Sequence, residues 1–379
     1  MPSIESSAWR RPSRRPNRAH ELDSFADRLL RWHRACGRHD LPWQIDRSPY
    51  RVWVSEIMLQ QTQVGTVIPY FERFIARFPD VTNLAAGSLD DVLALWSGLG
   101  YYARARNLHR AAKIVDDELG GTMPDNLDDM LRLPGIGRST GAAILALAGN
   151  QRHAILDGNC KRVLARFHAV RGSSGHAGVA RELWALAEAH TPETRVADYT
   201  QAIMDLGATV CTRGQPRCSE CPVSNNCEAR QLGIERELPH PRKKPNRGAR
   251  EVTVLVVQNE SSETLLERRP PAGIWGGLLS FPELAEGQEI GDWCRRYLGV
   301  LPESQQTLDP VEHAFTHFDL TLRPVRLTVE AGGAGVMDGE RWLWYNSTQP
   351  LPGGVAAPIG KILREVAQSE SIPNPESMH

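Results

Sequence analysis

Several features are scarce in this chain of 379 residues. No apolar run approaches the ~20 residues that cross a bilayer, which excludes a transmembrane helix. Neither charge sign is in excess: 44 lysines and arginines stand against 45 aspartates and glutamates. A net charge of −1 excludes a generally basic nucleic-acid coat, so any contact with a polyanion must come from local patches. The first residues carry Arg10, Arg11, Arg14, Arg15 and Arg18 but no apolar stretch, and Pro2, Pro12 and Pro16 interrupt them. They do not read as a secretory signal, and residues 1–20 are expected to form a disordered basic arm. Cysteines number seven, and nothing suggests export, which argues against a disulfide framework. No internal repeat is visible. Apolar residues at 41% and charged residues at 23% are those of a soluble globular protein, too long for one typical core. Two domains are the default.

The pattern changes once along the chain. Residues 21–232 read as almost all helix: Leu22, Phe25, Ala26, Leu29 and Leu30 recur at helical spacing, as do Val52, Trp53, Ile57, Leu59 and Val64. Residues 141–149, 159–170, 180–190 and 198–209 continue it. Over 233–249, Pro239, Pro241 and Pro245 alternate with Arg236, Arg242, Lys243, Lys244 and Arg247, an extended basic linker. Residues 250–367 read as α+β, with strands at Glu251–Gln258, Leu320–Val329 and Arg341–Tyr345 and a closing helix at Pro358–Ala367. The tail, 368–379, reads as disordered.

Four cysteines crowd into residues 211–227: Cys211, Cys218, Cys221 and Cys227, spaced C-x6-C-x2-C-x5-C. Arg213 to Arg217 bends the chain so that the thiolates can converge. Four such ligands suit tetrahedral zinc or a [4Fe–4S] cluster. Zinc sites usually pair two short hooks, and one hook flanked by single cysteines favours iron–sulfur. Arg213, Arg217 and Arg230 lie near enough to rest on phosphates. Cys36, Cys160 and Cys294 read as small core residues.

Leu133-Pro134-Gly135-Ile136-Gly137 places two glycines around one apolar residue just before a helix-like run. Such a turn aims backbone N–H groups outward at a helix start, which suits a phosphate. Gly135 and Gly137 therefore mark either an ordinary helix–turn–helix corner or a place where a nucleic-acid backbone is held without base reading. Residues 98–103 match the G-x-G-x-x-A of dinucleotide sites, but the run before them has helical period, not the strand that motif needs. There Tyr101, Tyr102, Arg104 and Arg106 better suit a nucleic-acid surface, rings against bases and arginines on phosphates, with one tyrosine in the core.

Glu56 lies among Val52, Trp53, Val54, Ile57 and Met58. Desolvation there would raise its pKa, so that it holds a proton near neutral pH and can deliver it. Gln60 and Gln61 follow and can reach base edges. Asp157 precedes a helix, where an aspartate usually caps. As an ionised carboxylate it could also face a developing sugar cation, and Glu56 and Asp157 would then fit the two carboxylate roles of glycosidic cleavage.

The segments LPWQ (41–44), SEIMLQQTQV (55–64), GLGYYARARN (98–107), LPGIGRST (133–140), ILDGN (155–159), MDLGA (204–208) and the cysteine quartet together resemble the MutY-type adenine DNA glycosylases, of the helix–hairpin–helix glycosylase superfamily. The resemblance covers roughly 21–232, and more loosely the second domain through GIWGGLLSFPE (273–283) and HAFTHFDL (313–320). It implies a six-helix barrel with an iron–sulfur helical domain, followed by an α+β Nudix-like domain. It implies base excision repair: adenine opposite 8-oxoguanine is flipped out and removed. Glu56 would be the acid acting at adenine N7, Asp157 the carboxylate that stabilises the oxocarbenium ion, and Asn159 its support. Tyr101 would wedge beside 8-oxoguanine, Gln61 would intercalate, and Trp43, Leu59 and Gln201 would line the adenine pocket. The four cysteines would bind a [4Fe–4S] cluster. The partner implied is double-stranded DNA with 8-oxoguanine:adenine mismatches, bound by a monomer in the cytoplasm at the nucleoid, with no membrane.

Two departures matter. Lyase relatives carry a lysine where this chain has Ser139, and a serine forms no imine, so base removal without efficient strand cleavage is expected. Lys161 could form one by accident. In the second domain the acid-rich helix that would hold Mg²⁺ is replaced by Glu289 to Gly299, with Arg295 and Arg296 where glutamates would stand. That domain reads as an 8-oxoguanine recognition module contacting the base through Phe315, Thr316 and His317. Threonine keeps the hydroxyl of the family's serine and adds a methyl group. The rivals are a Nudix hydrolase with a DNA-binding appendage, a non-catalytic iron–sulfur protein, and a glycosylase for thymine or uracil.

Overall fold

The computed structural model describes residues 24–173, 175–240, 247–315, 317–330 and 341–370. Its first part is helical: Phe25–Cys36 (α1), Pro42–Ile45 (α2), Pro49–Leu59 (α3), Val64–Arg77 (α4), Val81–Ala86 (α5), Leu89–Trp96 (α6), Ala103–Leu119 (α7), Leu127–Arg132 (α8), Arg138–Gly149 (α9), Gly158–Phe167 (α10), Ala177–His190 (α11) and Val196–Asp205 (α12). The helix starts are written in the local sequence. Ser24 and Asp27 cap α1 reciprocally, each accepting the other's backbone N–H at 3.1 Å. Asp80, Ser88, Asn126 and Asp157 each accept a first-turn N–H of α5, α6, α8 and α10. Trp53, Phe71, Phe74 and Trp96 are wholly buried where the helices meet.

The α8–α9 hairpin turns at Leu133–Gly137. Gly135 takes φ +83°, and a Cβ there would stand 2.9 Å from the Cβ of Asn107. Gly137 precedes α9 with φ −97° and, being glycine, supplies no side-chain cap to the first N–H groups of α9. After α12 the chain takes one π-helical turn, Leu206–Val210, and enters the cysteine loop, which ends in the short Glu228–Gln231 (α13).

The linker expected over 233–249 is shorter than that. Leu238 is buried and its carbonyl accepts from Arg166 Nε at 2.8 Å, while the Gly172 N–H donates to His240 Nδ1 at 2.8 Å. The apolar side chain and the buried carbonyl hold this stretch against the helical domain. Strand β1 starts at Gly248. Residues 241–246, like the arm at 1–20, lie outside the described residues.

The second part comprises Gly248–Gln258 (β1), Thr264–Arg268 (β2), Leu279–Ser280 (β3), Ile290–Leu298 (α14), Ser304–Thr307 (β4), Val311–Ala314 (β5), Phe318–Thr328 (β6), Trp342–Tyr345 (β7) and Ala357–Glu370 (α15). They form one mixed seven-stranded sheet in the order β3-β2-β1-β6-β4, with β5 on β6 and β7 on β2. Strands β1 and β6 run parallel in register from Gly248 opposite Phe318 to Gln258 opposite Thr328. Alternation along β1 serves two cores. Val254 and Val256 join Ile359 and Ile362 of α15 and the core of the helical part, while Leu255 and Val257 pack with Trp293 and Cys294 of α14. Helix α15 runs through Glu370, three residues into the stretch read as tail, and 371–379 lie outside the described residues.

The two parts are bonded together. Ser97 Oγ and Tyr102 OH both donate to the Val355 carbonyl, at 2.8 and 2.9 Å, and Arg106 Nη1 donates to the Gly276 carbonyl at 2.8 Å. Arg268 pairs with Asp90. Among the described residues no helix is long and apolar enough to cross a membrane.

The hairpin generates a paired prediction. Gly135→Ala should cost about 1–2 kcal/mol for a left-handed alanine alone, and more for the contact with Asn107. Gly137→Ala, whose Cβ would meet nothing within 4 Å, should cost only roughly half a kcal/mol as a poorer cap. Thermal unfolding of both variants measures the difference, and equal losses would contradict the assigned backbone geometry.

Candidate active site and DNA interface

Glu56 lies on α3, whose Val52, Trp53, Val54, Ile57 and Met58 are buried. On a helix wrapped by apolar packing its carboxyl is half-buried, and its pKa is pushed up to about 8, first by burial and second by the negative charge of Asp157. The two acids therefore share one site. Asp157 is the N-cap of α10, its Oδ1 accepting the Cys160 N–H at 2.7 Å. The hairpin reaches the same place: α9 packs on α3, and Ser139 Oγ accepts the Leu156 N–H at 3.0 Å, fixing the residue before Asp157. Cys160 is buried beneath, its thiol pushed up by burial and by the charges of Asp157 and Glu56.

Asn159 stands beside Asp157 in sequence, but its Oδ1 accepts from Arg162 Nη2 at 2.7 Å. Arg162 also donates to the carbonyls of Gly207, at 2.6 Å, and Cys211, at 2.7 Å. Gly207 must be glycine, because a Cβ would stand 2.6 Å from that of Asn159. One helical turn on, Arg166 donates to the Cys211 sulfur at 3.2 Å and to the carbonyls of Thr212 and Arg213, at 2.7 and 3.2 Å. Neither Arg162 nor Arg166 stood out in the sequence, although their i, i+4 spacing puts both on one face of α10.

All seven cysteines are unbridged. Cys211, Cys218, Cys221 and Cys227 line one cavity with Arg166, Arg230 and Glu235. Burial pushes the Cys221 thiol up to about 12, helped by the charges of Cys211, Cys227 and Cys218. Cys218 and Cys227 are raised by burial first as well. Among the described residues no three such side chains are gathered as a single ion would require. Four thiols spread around one cavity beside a buried guanidinium fit a polynuclear cluster better than one tetrahedral ion.

Between the two parts lies a cleft of about 680 Å³. Gln61, exposed at φ +60°, and Tyr101, 50% exposed at φ +50°, are on one wall. Trp275, His313 and Phe315 are on the other. Phe315 stacks on Phe318 with ring centres 4.6 Å apart, His313 is held below its ordinary pKa by burial, and His317 is exposed. Thr316 lies outside the described residues. Trp275 and His313 were not singled out as site residues. Their signal was present, since both stand inside the two segments that carry the second-domain resemblance.

Two single-residue expectations are corrected. Cys36 is exposed rather than a core residue. Arg104 is not a free phosphate ligand. It is buried, and its guanidinium, held down to about 10 by burial, faces backbone carbonyls of the α3 end and the Tyr101 turn. Tyr102 is the core tyrosine of the pair. Gln60 donates to Thr140 Oγ1 at 3.3 Å, linking the end of α3 to the start of α9. Leu59 is half-buried at that end. Trp43 is buried edge-on against Phe71, and buried Gln201 donates to Asp205 Oδ1 at 2.8 Å. In α14, Arg295 and Arg296 are exposed.

A family model for HhH-GPD superfamily base excision DNA repair proteins matches residues 54–189, and one for NUDIX domains matches 253–365. The chain is 35% identical to the adenine DNA glycosylase of Buchnera aphidicola subsp. Acyrthosiphon pisum (strain APS), over 89% of this chain and 96% of that protein. It is 36% identical to the human adenine DNA glycosylase, over 85% and 70%. A solved thermostable thymine-DNA glycosylase superposes with a TM-score of 0.50 at 28% identity, covering 55% of this chain and 95% of that one.

The raised acid has a consequence for stability. Glu56 titrates near 8 when folded against 4.5 when free. The folded state thus favours the proton, and stability is full at low pH and is lost as pH rises between those values. Glu56→Gln should melt above the parent at pH 8, with the gap closing toward pH 4.5. A gap independent of pH would show that the carboxyl is not held protonated.

Proposed function

The chain belongs to the adenine DNA glycosylase family and is a hydrolase of N-glycosyl bonds in DNA; from that premise we propose that it excises adenine mispaired with 8-oxoguanine or guanine, as a monofunctional glycosylase. The observation that carries the mechanism is Glu56, held protonated at neutral pH beside Asp157. Adenine leaves the stack and enters the site, with Trp43, Leu59 and Gln201 around it. Glu56 gives its proton to N7, the bond from C1′ to N9 breaks with its electron pair on the base, and Asp157 stabilises the oxocarbenium-like sugar. Water adds to C1′ and loses a proton. Asn159 holds Arg162, whose positive charge acts on Asp157. Ser139 cannot form an imine, and its hydroxyl already accepts from the Leu156 N–H.

The opposite base is read in the cleft, by Tyr101 and Gln61 from one side and by the Phe315–His317 loop from the other, while Gly135 and Gly137 hold the backbone. A second-domain role in recognition is favoured by α14, which offers arginines where a metal-binding Nudix helix needs acids. Adenine is favoured over thymine because the thymine-DNA glycosylase matches 55% of the chain, whereas the Buchnera adenine enzyme aligns over 89% and so extends into the second domain. Cys211, Cys218, Cys221 and Cys227 hold a [4Fe–4S] cluster in this reading. When bound it cross-links the 211–227 loop, and Arg166 balances its thiolate charge.

Purified protein should release free adenine from an 8-oxoguanine:adenine duplex. Glu56→Gln should slow this roughly 10²–10⁴-fold while duplex binding persists. The rate should fall as pH rises through about 8, where Glu56 gives up its proton. Release of pyrimidines but never adenine would refute the assignment. For the cysteines, purified protein should contain iron and acid-labile sulfide in equal amounts; zinc in their place would refute the cluster.

A further inference from the structure

The stretch from Ser97 to Arg106 touches three parts of the molecule. Ser97, Tyr102 and Arg106 bond to the second domain, Tyr101 lies in the cleft, and Arg104 turns back toward α3. Arg104 Nη1 donates to the carbonyls of Ile57, Met58 and Gln60, at 2.9, 2.7 and 2.6 Å. Its Nη2 donates to Thr62 Oγ1 at 3.2 Å and to the Gly100 carbonyl at 3.1 Å. The last carbonyls of a helix have no intrahelical donor and form the negative end of its dipole, so a buried cation is well placed there. This helix is α3, which bears Glu56. The guanidinium fork also spans two turns, each with a non-glycine residue at positive φ, Gln61 at +60° and Tyr101 at +50°. Such backbone persists only where its surroundings over-determine it.

We propose that Arg104 is a positioning residue that locks the Gln61 turn and the Tyr101 turn to each other and to the end of α3, and so sets how strongly the excision rate depends on the base opposite adenine. The inference rests on the proposed function. A lysine presents a point charge and cannot bridge the same acceptors from one planar fork.

The test is single-turnover adenine release from duplexes with adenine opposite 8-oxoguanine, guanine or an abasic analogue. For Arg104→Lys and Arg104→Gln, release opposite 8-oxoguanine should fall at least about tenfold and release opposite the abasic analogue by less than about twofold, because misplaced probes matter only where there is a base to probe. The alkaline limb of the pH profile, set by Glu56, should not move. Arg104→Gln combined with Gln61→Ala should be no worse than the poorer single variant. Thr62→Val, which removes one acceptor of Arg104 and one donor to the Gln60 carbonyl but no charge, should shift the preference the same way by less, and serves if the arginine variants do not fold. Equal losses on all duplexes, or additive losses in the double variant, would overturn the coupling. Parent protein that releases no adenine from any duplex would instead overturn the function on which it rests.

Discussion

The start of α10 is the constraint on which the rest of the site depends. Asp157 caps this helix through the Cys160 N–H, and the Ser139 hydroxyl pins the residue before it. Further along, Arg162 and Arg166 turn inward, and an arginine can be buried only where acceptors meet it. Those acceptors are the carbonyls of Gly207, Cys211, Thr212, Arg213 and Leu238, together with the Cys211 sulfur. The π-turn, the cysteine loop and the first part of the linker are thus registered on the helix that presents Asp157. The cysteine loop is therefore tied to the helix that Asp157 caps.

Burial and a neighbouring charge act on Glu56 in the same direction. Burial among the apolar side chains of α3 disfavours its charged form, and so does the charge of Asp157. A carboxyl that keeps its proton beside a second carboxyl suits the proposed glycosidic cleavage. The arrangement costs stability at neutral pH, as perturbed groups at functional sites generally do.

The second domain is held by the same segment that shapes the cleft. Val355 receives Ser97 and Tyr102, Gly276 receives Arg106, and Tyr101 projects between them. The cleft is walled by aromatic rings from both domains, so its shape follows from how the domains are seated. The exposed ring of Tyr101 and the groups that dock the sheet are thereby neighbours in the chain.

Much of this was legible in the chain. Helical period over 21–232, the hairpin glycines, the cysteine spacing and the apolar setting of Glu56 are all local, and local spacing decides which chemistry a segment can offer. The short strands were not legible: Leu279–Ser280 and its neighbours are too brief to show a period and exist only through pairing with distant residues. Arg104, beside two tyrosines, read as a phosphate ligand, yet the carbonyls that bury it belong to residues 57–60, more than forty positions earlier. Arg162 and Arg166 escaped notice for the same reason. Residue type and periodicity by themselves marked two acids, four clustered cysteines and a glycine turn ahead of a helix. Only the tertiary structure decided which arginines face inward, which tyrosine is exposed and how far Glu56 is raised, because desolvation and hydrogen-bond partners arrive from segments remote along the chain.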